Sequence, residues 1–223
     1  MENPIVWALI ATLGTWAVTA AGAATVFLFR RPSPEAMNRM LGFSAGVMIA
    51  ASFWSLLQPA IARAAEQDGL PPWLVATLGF LLGAVFLWAS DRVVTRASSR
   101  PGRGSGTNHV VLLILAITLH NIPEGIAVAV PVYYATRSRA KSLALALGSG
   151  LAEPVGALAA FCLLRGLFSP LFLNGLLALV AGVMLQVSFA QLLAAGFSFG
   201  KNSACAAGLA VGTLCMGVGL YLV

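Results

Sequence analysis

The chain has 223 residues, 59% of them apolar and 9% charged, with a formal net charge of +6 and a mean hydropathy of +0.91. So few charges cannot cover a soluble domain, and runs of 18 or more apolar residues mark membrane-spanning helices. The basic residues fall between those runs, where they set orientation and meet anionic lipid, so the positive charge does not point to nucleic acid.

The first run, Ile5–Phe29, is preceded by Glu2 with no basic region and is longer than a signal-peptide core, so it reads as a retained helix. Met40–Ile61 carries Gly42, Gly46 and Ala50 at four-residue spacing, which allows close helix contact, and Pro72–Ser90 repeats the device with Gly79 and Gly83. Ser98–Gly106, rich in Ser, Gly and Arg, reads as a cytoplasmic linker. The fourth run, Val110–Ala135, is interrupted by polar residues at its centre, His120, Asn121 and Glu124. The fifth, Ser142–Leu164, holds Glu153 near its middle, and Leu171–Ala194 and Ser203–Val223 complete the series, the last with Gly208 and Gly212. The expectation is an all-α integral membrane protein, one transmembrane domain over residues 1–223 built as a bundle of about seven transmembrane helices. Cys162, Cys205 and Cys215 all sit inside apolar runs, without the spacing of a thiolate metal site or redox motif, and read as small hydrophobes.

Regular alternation of seven spans puts Arg30, Arg31, Arg39, Arg92, Arg96, Arg100, Arg103 and Arg165 on one side. Arg63, Arg137, Arg139, Lys141 and Lys201 then fall on the other. The excess of basic residues marks the cytoplasmic side and places the amino terminus outside. Three of the five opposing charges crowd into Thr136–Lys141, a loop that would itself prefer the cytoplasm.

An ionised group at the bilayer centre costs about 2.5–3.5 kcal/mol on insertion scales, so such residues are functional candidates by default. His120 and Glu124, four residues apart, share a helix face, and imidazole with carboxylate suits zinc, iron, manganese or cobalt. Pro123 with Gly125, and Pro154 beside Glu153, are expected to break the helices there and bare the carbonyls of Leu119 and Gly150. Both acids lie near the centres of their runs, so they share a height in the membrane. A structural hydrogen-bonded pair, with Glu153 protonated, is the plainer alternative.

The string His120-Asn121-Ile122-Pro123-Glu124-Gly125, continued by Ile126–Pro131, resembles the signature of the ZIP family of divalent metal transporters. Ser149–Pro154 is similar to the motif on that family's sixth helix, Gly42–Met48 with Ala51–Leu57 resembles its second in the bacterial branch, and Ala181–Leu185 resembles its seventh. The resemblance implies His120, Asn121, Glu124 and Glu153 as metal ligands, and a divalent cation, zinc foremost, as substrate, with no organic cofactor. It also implies a multi-pass protein of the cell inner or plasma membrane.

Family members have eight helices and carry the signature twice, whereas this chain has it once. Residues before His120 resemble the approach to the first copy and those after it the stretch beyond the second, as a deletion fusing two helices would leave them. Where relatives carry a histidine and acids after the Ala-Gly-x-Met-Leu stretch, this chain has Ala190, Gln191 and Ala195. One site with His120, Glu124, Glu153 and a fourth donor suffices for zinc, and a homodimer would supply the wall a lost helix leaves open. The alternative is a degenerate ZIP-like protein that binds metal or a partner without transporting. The metalloprotease helix pattern, two histidines four apart with Glu after the first, is absent, which argues against an enzyme.

Overall fold

The computed structural model describes residues 4–28, 33–66, 70–98, 121–164, 166, 169–198, 200 and 202–222. Among them the regular structure is helical throughout. Helix α1 spans Pro4–Ala23 and tightens into a 3-10 turn at Ala24–Phe27. Helix α2, Pro34–Ala51, passes through a π-helical segment, Ser52–Leu57, into α3, Gln58–Ala65. Then follow α4, Pro72–Ser98, α5, Asn121–Thr136, α6, Arg139–Gly150, and α7, Ala152–Leu164. Helix α8, Pro170–Val187, again passes through a π-helical segment, Ser188–Leu193, into α9, Ala194–Ser198, and α10 is Asn202–Leu222.

Local chemistry starts these helices where it should. Ser33 and Ser169, each followed by proline in the first turn, accept from the amides of Ala36 (3.1 Å) and Phe172 (3.2 Å), and Ser138 caps α6 through Lys141 N (3.3 Å). Among the described residues, four stretches are long and apolar enough to cross a membrane: Pro34–Ala65, Pro72–Ser90, Pro170–Ser198 and Asn202–Tyr221. Their outward faces stay apolar in the folded bundle, with Leu82, Phe86 and Leu214 each more than 60% exposed. Such a surface is tolerable only against lipid.

Two closely packed helix pairs use the expected small residues. A Cβ on Gly42 or Gly46 would collide with the carbonyl of Cys205 or Leu209, and one on Gly208 or Gly212 with that of Arg39 or Phe43. A Cβ on Gly79 would stand 2.7 Å from Gly175 O, and one on Gly83 would run into the Leu179 carbonyl. In each pair a step of four residues along one helix matches a step of four in the same sense along the other, so α2 runs parallel to α10 and α4 parallel to α8.

An internal repeat underlies this arrangement. Ala45-Gly46-Val47-Met48, Ser52-Phe53 and Leu56-Leu57 recur as Ala181-Gly182-Val183-Met184, Ser188-Phe189 and Leu192-Leu193. The two serines do the same thing: Ser52 Oγ donates to Met48 O (2.7 Å) and Ser188 Oγ to Met184 O (2.8 Å), both buried, at the start of a π-helical segment. A hydroxyl inserted into the backbone ladder in this way favours local widening of the turn. The first half of each helix packs on the second half of the other, so α2–α3 and α8–α9 are antiparallel and cross at their bulges.

A second group, α1, α5, α6 and α7, joins this one mainly where α5 packs on α2. Gly125 lies against the Thr19 carbonyl, and eight residues further along each helix the Arg139 guanidinium sits 5.9 Å from the rings of both Phe27 and Tyr133. Helix α5 therefore runs parallel to α1. Helix α6 returns antiparallel, its Leu147 reaching Trp16.

These directions correct the simple alternation of seven spans. Helices α1, α4, α5 and α8 all run one way and α2, α6, α7 and α10 the other, so α4 and α5, which flank residues 99–120, are parallel. Val110–His120, the first part of the expected fourth span, lies outside the described residues, as does the linker beyond Ser98. With α4 and α5 ending on one face, Arg39, Arg92, Arg96, Arg137, Arg139 and Lys141 share that face and, among the described residues, only Arg63 takes the opposite one. The conflict in the charge pattern disappears, and the shared face is the one that basic residues mark as cytoplasmic.

Candidate metal site

Of the four expected ligands, His120 lies outside the described residues. The backbones of Asn121, Glu124 and Glu153 are described, and their side chains are not. What the structure places is the frame that carries them. Asn121 and Glu124 belong to the first turn of α5 as described, and Glu153 to the first turn of α7.

Proline explains the second placement. The α6–α7 segment breaks at Leu151, whose amide donates to Leu147 O (3.1 Å), and Pro154 has no N–H to offer Gly150, so the expected break beside Glu153 is present. The expected kink at Pro123 falls at the edge of the described residues, because Leu119, whose carbonyl it was to displace, lies outside them. Within α5 as described, Pro131 is an interior proline, about two turns beyond Pro123.

Helix α1 is the common wall. Gly125, the residue after Glu124, packs so closely on α1 that an added Cβ would stand 2.7 Å from Ala23 N and 3.1 Å from Gly22 C, closer still to the Thr19 carbonyl. Gly150, three residues before Glu153, faces the same part of α1, with Trp16 Cδ1 2.9 Å and Thr19 Cγ2 3.3 Å from the Cβ position. The Trp16 indole N–H donates to Leu147 O (3.0 Å) and fixes α1 on α6 one turn away. Thr19 thus touches both carboxylate-bearing segments. It lies eight residues from Phe27, about 12 Å along the helix, which puts this meeting point deep in the bundle.

The surroundings are apolar on every described side. Ile126, Val128, Ala129 and Val130 of α5 are buried, and so are Ala23 and Val26 of α1. A groove of about 410 Å³ between α2, α5 and α10 is lined by Arg39, Met40, Phe43 and Ile126 among others, with no carboxylate among the described residues of its lining. On α8 and its bulge, Gln191 is half-buried with its Oε1 unpartnered, and Ala190 and Ala195 add no donor, as the sequence implied. Cys205 is buried and Cys162 and Cys215 are exposed, all three as free thiols.

Two features escaped the reading of the sequence. The repeat of α2 in α8 was legible, since Ala-Gly-Val-Met and Ser-Phe recur at equal spacing, but it shows only when the two runs are set against each other. Thr19 carried no signal at all, being one hydroxyl in an otherwise apolar run.

Comparison with known proteins adds to this geometry. The family described as "ZIP Zinc transporter" matches residues 101–222. A protein named "Zinc transporter ZupT" from Chlorobium phaeovibrioides is 32% identical, with 99% of this chain and 99% of the relative covered. The ZupT of Stenotrophomonas maltophilia is 32% identical with 97% and 96% covered. "Zinc transporter ZIP11" of Xenopus tropicalis is 32% identical over 57% of this chain and 60% of its own. The Chlorobium alignment runs over 266 positions, 43 more than this chain has residues. Near-complete coverage at both ends thus coexists with internal stretches of the relative that face no residue here.

Proposed function

The chain belongs to the ZIP zinc transporter family, a family of multi-pass membrane transporters and not of enzymes, and on that premise we propose that it carries a divalent cation, zinc foremost, across the cell membrane through a site made by His120, Asn121, Glu124 and Glu153. The observation that carries this reading is the convergence on Thr19: the segments bearing Glu124 and Glu153 pack on one residue, in apolar surroundings.

The chemistry stems from the loss a cation suffers on entry. A doubly charged ion leaving water needs about four donors at close range, and zinc accepts imidazole nitrogen and carboxylate oxygen readily. His120, Glu124 and Glu153 supply three, and Asn121 or the Gly150 carbonyl, which Pro154 cannot cap, offers a fourth. Two carboxylates neutralise the ion's charge, so the loaded site is less costly in the bilayer than either acid ionised alone. The two helix groups, joined mainly through α5 and α2, suit movement of one against the other. A second copy of the chain would close the side left open by the shorter sequence, and lipid covers the exposed faces of α4 and α10.

The test is zinc uptake into proteoliposomes containing the full chain. Wild type accumulates zinc and Glu124→Gln does not, while inserting and purifying normally; equal uptake by the two overturns the reading. A second reading has its own support, the 43-position shortfall and the single signature copy: a ZIP-like protein that binds metal without moving it. It requires zinc to raise the thermal midpoint in detergent with no flux in liposomes.

A further inference from the structure

We propose that the two π-helical segments, Ser52–Leu57 and Ser188–Leu193, form a double hinge about which one half of the internal repeat moves against the other. The inference goes beyond the carriage of an ion and uses no ligand residue. Glycine contacts clamp the first halves of the repeated helices to different partners: α2 to α10 through Gly42, Gly46, Gly208 and Gly212, and α8 to α4 through Gly79, Gly83 and Gly182. Beyond each π-helical segment the chain changes sides. Helix α3, which continues α2, packs on α4 and α8, while α9, which continues α8, packs on α2 and α10. Gly196 of α9 shows the exchange at close range, since a Cβ there would stand 2.6 Å from Cys205 Sγ of α10 and 3.6 Å from Leu41 Cβ of α2. The repeat thus builds two like units, α2 with α9 and α10, and α8 with α3 and α4. The chain crosses between them at Ser52–Leu57 and again at Ser188–Leu193.

Backbone chemistry makes those crossings pliable. At both, the serine amide is shared between the carbonyls three and four residues back, Ile49 and Met48 for Ser52, Leu185 and Met184 for Ser188. The serine hydroxyl donates to the second of these carbonyls as well, at 2.7 Å and 2.8 Å. By the end of the first segment the ladder has slipped, and the Gln58 amide reaches Phe53 O five residues back. In an apolar bundle a carbonyl that loses its amide finds no water, so bending a helix there ordinarily leaves a bare acceptor. The hydroxyl keeps Met48 O or Met184 O satisfied while the amide lets go, which lowers the cost of bending. Both serines are fully buried, so neither solvent nor lipid competes for them. Because α2–α3 and α8–α9 cross at these segments, the two pivots lie together. Helix α5 packs on α2, so the group of α1, α5, α6 and α7 follows the α2 unit and shifts relative to α4 and α8.

The experiment combines hydrogen–deuterium exchange with spin-label distances on the purified full chain in detergent, as wild type and as the double variant Ser52→Ala with Ser188→Ala. In wild type the amides of residues 53–57 and 189–193 exchange faster than those of 41–50 and 177–186. Without the hydroxyls each opening strands a carbonyl, so exchange in both segments slows by about 2–10-fold, the factor that one hydrogen bond supplies, while the flanking halves stay unchanged. Nitroxides at Trp88 and Leu214, in a cysteine-free background, report across the units, and those at Trp88 and Leu171 within one; all three positions are exposed. The cross-unit distances spread more widely than the within-unit distances in wild type and narrow in the double variant. Exchange that is unchanged or faster in the double variant overturns the proposal. So does a cross-unit spread that is no wider than the within-unit one, or that the double variant leaves as it was. None of these readings depends on zinc, so their failure is distinct from a failure of the cation site.

Discussion

Gly125→Ala adds one methyl group at the point where α5 rests on α1. That methyl would stand 2.7 Å from Ala23 N and 3.1 Å from Gly22 C, with the Thr19 carbonyl nearer still. All three are backbone atoms, so no side chain can turn aside. Ordinary contact needs about 3.5 Å, and the helices must part by roughly 0.8 Å or more. Overpacking of this kind costs about 1–3 kcal/mol. For a chain of this size that is a fall of about 2–12 °C in thermal midpoint. The displacement also moves Glu124 relative to Glu153, so zinc affinity falls with stability. Gly148→Ala is the control: nothing lies within 4 Å of its Cβ position, and alanine is the better helix former by about 1 kcal/mol. Thermal unfolding and zinc titration of both variants in detergent check the argument. A Gly125→Ala protein that melts and binds as wild type does would show that α1 and α5 are not packed as described.

A cysteine placed at Ala140 in a cysteine-free background should react with a membrane-impermeant maleimide only from the cytoplasmic side, as one placed at Arg92 does; labelling from opposite sides would refute parallel α4 and α5. Arg137 ends α5 at a φ of 55°, its amide donating to Tyr133 O (2.8 Å). That conformation costs an L-residue about 1–2 kcal/mol, against about 0.5–1 kcal/mol from its guanidinium 5.1 Å over Tyr134. Arg137→Gly should therefore raise the thermal midpoint by a few degrees, about 1–4 °C. A lowered midpoint would show that the ring contact outweighs the strain.

The sequence was most informative where a single physical rule decides. Gly42, Gly46, Gly79, Gly83, Gly208 and Gly212 were legible as contact points because only a missing side chain lets backbones meet. The break at Leu151 was legible from Pro154. Helix direction was not, because hydropathy counts apolar runs without saying which way each crosses; Arg137, Arg139 and Lys141 held the clue as a charge anomaly. Thr19 was silent because its interest lies in contacts with residues more than a hundred positions away.

Parallel α4 and α5 set Arg92 and the Arg137–Lys141 loop on one face of the bundle. An insertion machine that reads basic residues helix by helix therefore meets the same instruction before and after residues 99–120.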